Sequence, residues 1–151
     1  MREAHIPALA ELERICFASP WSAQSLRDVL ANPLACFRVA EDAQGGVLGY
    51  AGMHHVAGEC YVDNIAVFPQ YRRQGVGERL VQALFAFAGE VQARFLTLKV
   101  RPSNGAAIAL YQRFGMTEQG RRKNFYTAPA EDAIILTKFF EGEEDPCVSL
   151  P

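Results

Sequence analysis

The stretch that decides the fold is N-I-A-V-F-P-Q-Y-R-R-Q-G-V-G-E-R-L-V-Q-A-L-F-A-F, residues 64–87. Its start reads as a strand, because 64–67 is a short β-branched and apolar run closed by Pro69, which cannot donate to a sheet ladder. A turn carrying Arg72, Arg73, Gln74, Gly75 and Gly77 follows, and a helix begins there with Val76, Leu80, Leu84 and Phe87 along one face. The first amides of such a helix have no intrahelical partner, and its macrodipole adds partial positive charge beside the two arginines. Glycines at the mouth let a ligand's oxygens approach the backbone without a Cβ in the way, so the loop reads as an anion cradle suited to a diphosphate. A plain βα turn with solvated arginines is the alternative while the loop is taken alone. The dinucleotide and P-loop readings weaken, because position 80 is Leu80 rather than a third glycine and no Gly-Lys-Ser/Thr is present.

Upstream, Ile6, Leu9, Leu12, Ile15 and Cys16 recur at helical spacing, with Pro7 in the first turn, and predict a helix ending near Phe17. Ser19-Pro20-Trp21-Ser22 breaks it, and Ser22 is placed to cap a second helix through Leu26, Val29 and Leu30 to Asn32-Pro33. Residues 37–40 and 47–53 flank Gln44-Gly45-Gly46 as a hairpin, and 60–67 is the next strand. Downstream, the helix after the loop ends near Gly89, and 95–100 alternates as a strand. Pro102-Ser103-Asn104 then caps a helix that holds Ile108, Leu110, Tyr111 and Phe114 and stops at Gly115. Residues 116–120 and 133–137 read as two last strands, separated by the basic and aromatic stretch 121–126 and a loop around Pro129. The class is therefore α/β, with a central mixed, mostly antiparallel sheet flanked by helices. Residues 1–140 read as a single domain and 141–151 as an acidic, disordered tail.

At 151 residues the chain can bury a core without staples. Lys+Arg 15 against Asp+Glu 17, a net charge of −2, supplies no global field for nucleic acid. Cys16, Cys36, Cys60 and Cys147 form no C-x-x-C pair, so they read as thiols in a reducing compartment and no metal is expected. No apolar run reaches the length of a membrane span and Met1-Arg2-Glu3 does not open a signal peptide. The expectation is a cytoplasmic protein with neither nucleic acid nor membrane as partner, and with its oligomeric state open.

Three patterns occur in one order: N-I-A-V with R-R-Q-G-V-G, then L-K-V-R-P-S-N-G-A-A-I-A-L-Y at 98–111, then E-D-A-I-I-L at 131–136. Together they resemble the GCN5-related N-acetyltransferases (GNAT family), in the RimI-like branch that acetylates the N-terminal alanine of a ribosomal protein. The resemblance runs over residues 6–140 and takes in Ser19-Pro20-Trp21-Ser22 and Arg121-Arg122 with Phe125-Tyr126. It implies the GNAT fold, acetyl-CoA as co-substrate, no metal, and a protein or peptide N-terminus as acceptor, a ribosomal protein's in particular. Members open with a short edge strand before the first helix, and here that strand is missing or the given start is late.

By that resemblance the backbone of Ile65, Ala66 and Val67 holds the acetyl and pantetheine arm, and its amides stabilise the oxyanion. Arg72, Arg73, Gln74, Gly75, Val76, Gly77 and Glu78 hold the pyrophosphate, and Asn104 touches the pantetheine. Tyr111 is carried over as the general acid for the departing thiolate, although spacing alone reads it as core. Lys99 departs from the pattern, since the branch carries a glutamate there as general base. A lysine of ordinary pKa, about 10.4, is protonated at neutral pH and could serve only if burial lowered that value by several units; a solvated strand lysine is the other reading. Glu59 is a substitute base acting through water. A peptide α-amine has a pKa near 8, so roughly one molecule in ten is already neutral at pH 7 and transfer can run without a dedicated base. Trp21 either lines the peptide cleft or pins the helix turn, and His54 and His55 fall in a strand, one inward and one outward, with catalysis a lesser alternative. Two other functions stay open: a small-molecule amine acetyltransferase, and a CoA-binding module whose catalysis is weak because Lys99 replaces the expected Glu.

Overall fold

The computed structural model describes residues 1–140, so the acidic stretch 141–151 lies outside the described residues. The elements are α1 (Ile6–Cys16), α2 (Ala23–Leu30), β1 (Ala35–Glu41), β2 (Val47–Val56), β3 (Glu59–Val67), α3 (Val76–Glu90), β4 (Phe95–Val100), α4 (Gly105–Arg113), β5 (Thr117–Thr127) and β6 (Ala130–Phe139). Strand order is β1-β2-β3-β4-β6-β5, in which β3 and β4 run parallel while β1–β2, β4–β6 and β5–β6 are antiparallel. This is a mixed, mostly antiparallel sheet in an α/β chain. No strand precedes β1 among the described residues, and the Met1 ammonium donates to the Phe37 carbonyl on β1 at 3.1 Å.

The chain gathers into two compact units. One comprises Met1–His55 and Val62–Phe87. Its core is Ile6, Leu9, Ala10 and Leu12 of α1, Leu26 of α2, Phe37, Tyr50, Ala66 and Phe68. The apolar stripe of α1 continues past one polar member, Glu13, which is fully buried. Ser22 caps α2 as the sequence requires, its Oγ accepting from the Ser25 amide at 3.1 Å. Strands β2 and β3 approach so closely that a Cβ on Gly49 would lie 2.6 Å from the Ala66 carbonyl oxygen.

The second unit comprises Val56–Tyr61 and the chain from Ala88 onward. The ladder between β3 and β4 covers Glu59 to Tyr61 opposite Phe95 to Thr97. Leu96, Leu98 and Val100 are buried in β4, and Ala133, Ile134 and Leu136 in β6.

One expectation needs correction here. The basic and aromatic stretch 121–126 is strand, not a separator: β5 runs unbroken from Thr117 to Thr127, and β6 opens after a turn at Ala128 and Pro129. Among the described residues β5 is hydrogen-bonded only to β6, and it is exposed along most of its length, so it has no need of apolar alternation. A register shift between Arg122 and Tyr126, with Asn124 at φ 52 and its amide on Asp132 at 2.8 Å, hides the period further.

Candidate functional site

In the first unit, β3 runs into the loop that opened the sequence reading. Its ladder to β4 ends at Tyr61, so the amides of Ile65, Ala66 and Val67 lie beyond that pairing. After a single 3-10 turn at Pro69–Tyr71, Arg73 takes φ 61 and Gly75 φ 81. The left-handed value at Gly75 carries no strain, whereas Arg73 holds it at a cost. Left-handed residues in such a turn redirect successive N–H groups toward one concave side, the geometry that binds anions. The first intrahelical bond of α3 is Arg79 N–H to Gly75 O at 3.1 Å, so the amides of Val76 and Gly77 precede it, with the positive end of the helix dipole behind them.

Arg72 is exposed yet not a free cation. Its Nε donates to the Val67 carbonyl at 3.1 Å and its Nη2 to Cys16 Sγ at 3.4 Å, fastening the loop back onto the end of β3 and of α1. Burial pushes the Cys16 thiol up against the pull of that guanidinium. Gln74 is likewise turned inward, its Nε2 on the Gln70 carbonyl at 3.2 Å. Arg73 takes the left-handed conformation at φ 61 beside these two braced side chains. Arg72 and Gln74 thus bond back onto the protein and shape the loop.

Four elements meet on the buried Glu13 of α1. Its carboxylate accepts from the Tyr50 hydroxyl on β2, from Asn64 Nδ2 on β3 at 2.8 Å, and from the Trp21 amide in the α1–α2 connection at 2.9 Å. Asn64 Nδ2 also lies 3.3 Å from the Tyr50 oxygen. Burial, with the neighbouring carboxylate, drives the Tyr50 hydroxyl far above its ordinary value. The sequence reading missed this network, because a glutamate inside an amphipathic helix reads as a solvated residue; the only local signal is its place on the apolar stripe. Trp21 packs its ring on Phe37 at 5.8 Å, and Phe37 in turn stacks on Tyr50 at 6.0 Å and meets the edge of His54 at 6.3 Å. The packing role expected of Trp21 is therefore present. His54 Nδ1 lies 2.5 Å from Asp63 Oδ2, while His55 on the opposite face meets Phe87 at 5.0 Å.

In the second unit, Tyr111 is buried in α4, 8% exposed, and burial with Tyr126 nearby pushes its hydroxyl up to about 12. Asn104 caps α4, its Oδ1 accepting from the Ala107 amide at 3.3 Å. Glu131 fixes the turn before it, accepting from the Ser103 amide at 2.7 Å, the Ser103 hydroxyl at 2.9 Å and Arg101 at 3.3 Å. Those bonds hold its carboxyl below the ordinary range. Arg101 also lies over the Tyr126 ring at 4.1 Å.

The two base candidates do not meet their requirements. Lys99 is exposed, its Nζ 5.6 Å over the Phe125 ring, so the burial a lysine base needs is absent. Glu59 is engaged by the Tyr61 hydroxyl and by Arg94 at 3.1 Å. Among the described residues no three His, Cys, Asp or Glu side chains converge, and no helix is long and apolar enough to cross a membrane.

A family model described as the acetyltransferase (GNAT) family matches residues 6–116. The chain is similar to the ribosomal protein bS18-alanine N-acetyltransferase of Escherichia coli, 35% identical over 133 residues that cover 87% of this chain and 88% of that one. It is 41% identical over 137 residues, 90% of each chain, to a Bacillus subtilis protein named as a candidate for the same activity. The crystal structure of the ribosomal-protein-S18-alanine N-acetyltransferase from E. coli matches the fold with a TM-score of 0.85 and 31% identity, over 98% of this chain and 96% of that one.

Proposed function

Because the chain belongs to the acetyltransferase (GNAT) family, we propose that it moves acetyl from acetyl-CoA onto the N-terminal α-amine of a protein, with the alanine of a ribosomal protein as the first acceptor to test. Residues 1–140 serve as one acetyltransferase domain working in the cytoplasm. The observation that carries the reading is the loop after β3: left-handed Arg73 and Gly75, the start of α3, and Arg72 folded back as a brace. That set fits a diphosphate, which backbone donors bind without needing a side chain at every oxygen.

Acetyl-CoA supplies the activated thioester. The backbone of Ile65, Ala66 and Val67, past the end of the β3–β4 ladder, holds the acetyl carbonyl in this reading and donates to the charge that gathers on its oxygen. Gly75, Val76, Gly77 and Glu78 present helix-start backbone to the pyrophosphate, and Arg73 adds charge. Asn104, with its Oδ1 spent on the α4 cap, keeps its side-chain N–H donors for the pantetheine. Tyr111 stays protonated through the working range. A phenol at about 12 would give its proton to a thiolate whose thiol has cysteine-like acidity, near 8.5, only at a cost of roughly 5 kcal/mol. Its role is therefore to donate a hydrogen bond to the developing sulfur charge, with water completing the protonation.

The test is thermal melting with acetyl-CoA, followed by turnover of peptides beginning with alanine, serine or methionine set against spermidine. A ligand that binds only the folded state raises the melting temperature, by about 2.7 kcal/mol of stability at a hundred times Kd. An unmoved melting temperature sinks the co-substrate, and turnover of the free amine alone sinks the peptide acceptor.

A further inference from the structure

With Lys99 exposed and Glu59 engaged by Tyr61 and Arg94, the acceptor's proton still needs a destination. We propose that His54, held by Asp63, accepts it. The inference rests on the acetyl group lying on Ile65, Ala66 and Val67 as above. Asp63 stands about 7 Å before Ile65 along β3, and alternate residues of a strand share a face. His54 Nδ1 is 2.5 Å from Asp63 Oδ2, and both side chains keep solvent access, 30% and 24% exposed. A carboxylate accepts only, so Nδ1 carries the hydrogen and Nε2 is left as the bare acceptor. Such a pair is the orienting arrangement a general base needs. The ring edge of His54 rests on Phe37, whose other side carries Trp21 from the α1–α2 connection.

The charged and titratable groups around the pair are few. Asp63 comes from β3, Tyr50 from the same strand as His54, and Glu13 from α1 through Tyr50. β1 presents Phe37, while its Arg38 lies over Phe87 at 5.4 Å with His55, on the other side of the sheet. Partial burial raises the Asp63 carboxyl and the imidazole draws it back down, as a coupled acid–base pair does. In the step, an N–H of the acceptor ammonium passes its proton to His54 Nε2. The freed lone pair forms the N–C bond to the acetyl carbon as the C–S bond breaks, the nitrogen's second proton passes to water, the departing thiolate takes a proton from water, and the imidazolium returns its proton to solvent, a net release of one proton.

The experiment compares kcat/KM against pH for wild type, His54→Gln and Asp63→Asn, with peptides whose N-terminal residues differ in amine basicity. In wild type the low-pH limb should stay in place from peptide to peptide. In His54→Gln, kcat should fall on the order of a hundredfold, the usual size of a general-base contribution, and the limb should now follow the amine. The melting-temperature rise with acetyl-CoA should be unchanged. A second readout needs no turnover: the imidazole signals of His54, assigned by their loss in His54→Gln, should shift when an alanine peptide is added without acetyl-CoA. A wild-type limb that follows the peptide, or a His54→Gln variant with wild-type kcat and limb, overturns the assignment. Should His54→Gln fail to fold, Asp63→Asn with unchanged kcat and limb does the same. Wild type that transfers to no peptide sinks the peptide reading along with it, whereas an active wild type indifferent to both variants sinks the base alone.

Discussion

Replacing Glu13 with glutamine tests whether a buried carboxylate holds the α1–α2 connection to β2 and β3. Three donors converge on it, the Tyr50 hydroxyl, Asn64 Nδ2 and the Trp21 amide, and the side chain is fully buried. A carboxylate offers acceptor sites on both oxygens, whereas an amide offers one oxygen and turns an N–H₂ toward whatever faces the other. The Trp21 amide takes Oε2 while Tyr50 and Asn64 share Oε1. The amide can satisfy one side only, and at least one buried donor is left facing a donor, at about 1–3 kcal/mol. For a chain of this length each kcal/mol lowers Tm by roughly 2–4 °C, so Glu13→Gln should melt about 2–12 °C lower with its volume conserved. Tyr50→Phe removes one donor and a hydrogen bond to a charged group, for about 1.5–3 kcal/mol. The double variant should cost less than the two singles together, since residues of one network couple. Urea and thermal unfolding of the four proteins measure this. Glu13→Gln melting at or above wild type, or strict additivity with Tyr50→Phe, would refute the reasoning.

Other outcomes follow from the geometry. Tyr111, pushed up to about 12 from 10 by burial, should leave kcat/KM without a fall through pH 10, and Tyr111→Phe should lower kcat with acetyl-CoA binding kept. Because the folded value is the raised one, the stability Tyr111 contributes is present below pH 10 and lost as pH rises toward about 12, visible as a steeper Tm decline in wild type than in Tyr111→Phe. Glu131 has the opposite sign, its carboxyl lowered by Ser103. Glu131→Gln should therefore reduce Tm at pH 7, and the gap should close below pH 4.5 as the wild-type carboxyl protonates; a constant gap would count against the cap. Arg73→Ala should weaken acetyl-CoA binding mostly at low salt, and Arg72→Ala at every salt concentration, because the first loses a screened charge and the second the brace on Val67 and Cys16. Gly52→Ala would set a Cβ 2.3 Å from the Phe37 ring, which Trp21, Tyr50 and His54 hold in place, and should cost about 1–3 kcal/mol on unfolding.

What could be read in advance divides by distance along the chain. The loop after β3, the Ser22 and Asn104 caps, the stop at Gly115 and the strand Phe95–Val100 depend on residues within a turn or two of each other, so their chemistry is written locally. β5 was misread because an edge strand with one neighbour is free of the alternation that marks a buried one, and a bulge at Asn124 breaks what period remains. A cation beside glycines is the local sign of an anion site, whereas the bonds of the Arg72 guanidinium to Val67 and to Cys16, brought in from α1, depend on the fold.

The proton's route shows the same divide at its sharpest. Lys99 is conspicuous because it breaks a local pattern, and the natural search for a replacement looked to the nearest acid at the head of β3, Glu59. The pairing that matters for a base is instead between strands: His54 and Asp63 belong to β2 and β3 and meet only because those strands lie side by side. Neither residue has a distinctive neighbour in sequence, so each alone reads as an ordinary strand residue. A histidine becomes a general base through the group that fixes its tautomer, and that partner is chosen by sheet order. A substitution at position 99 is therefore weak grounds for calling the chain inactive, since the sheet brings an acid–base pair to the strand whose residues 65–67 lie beyond the ladder to β4.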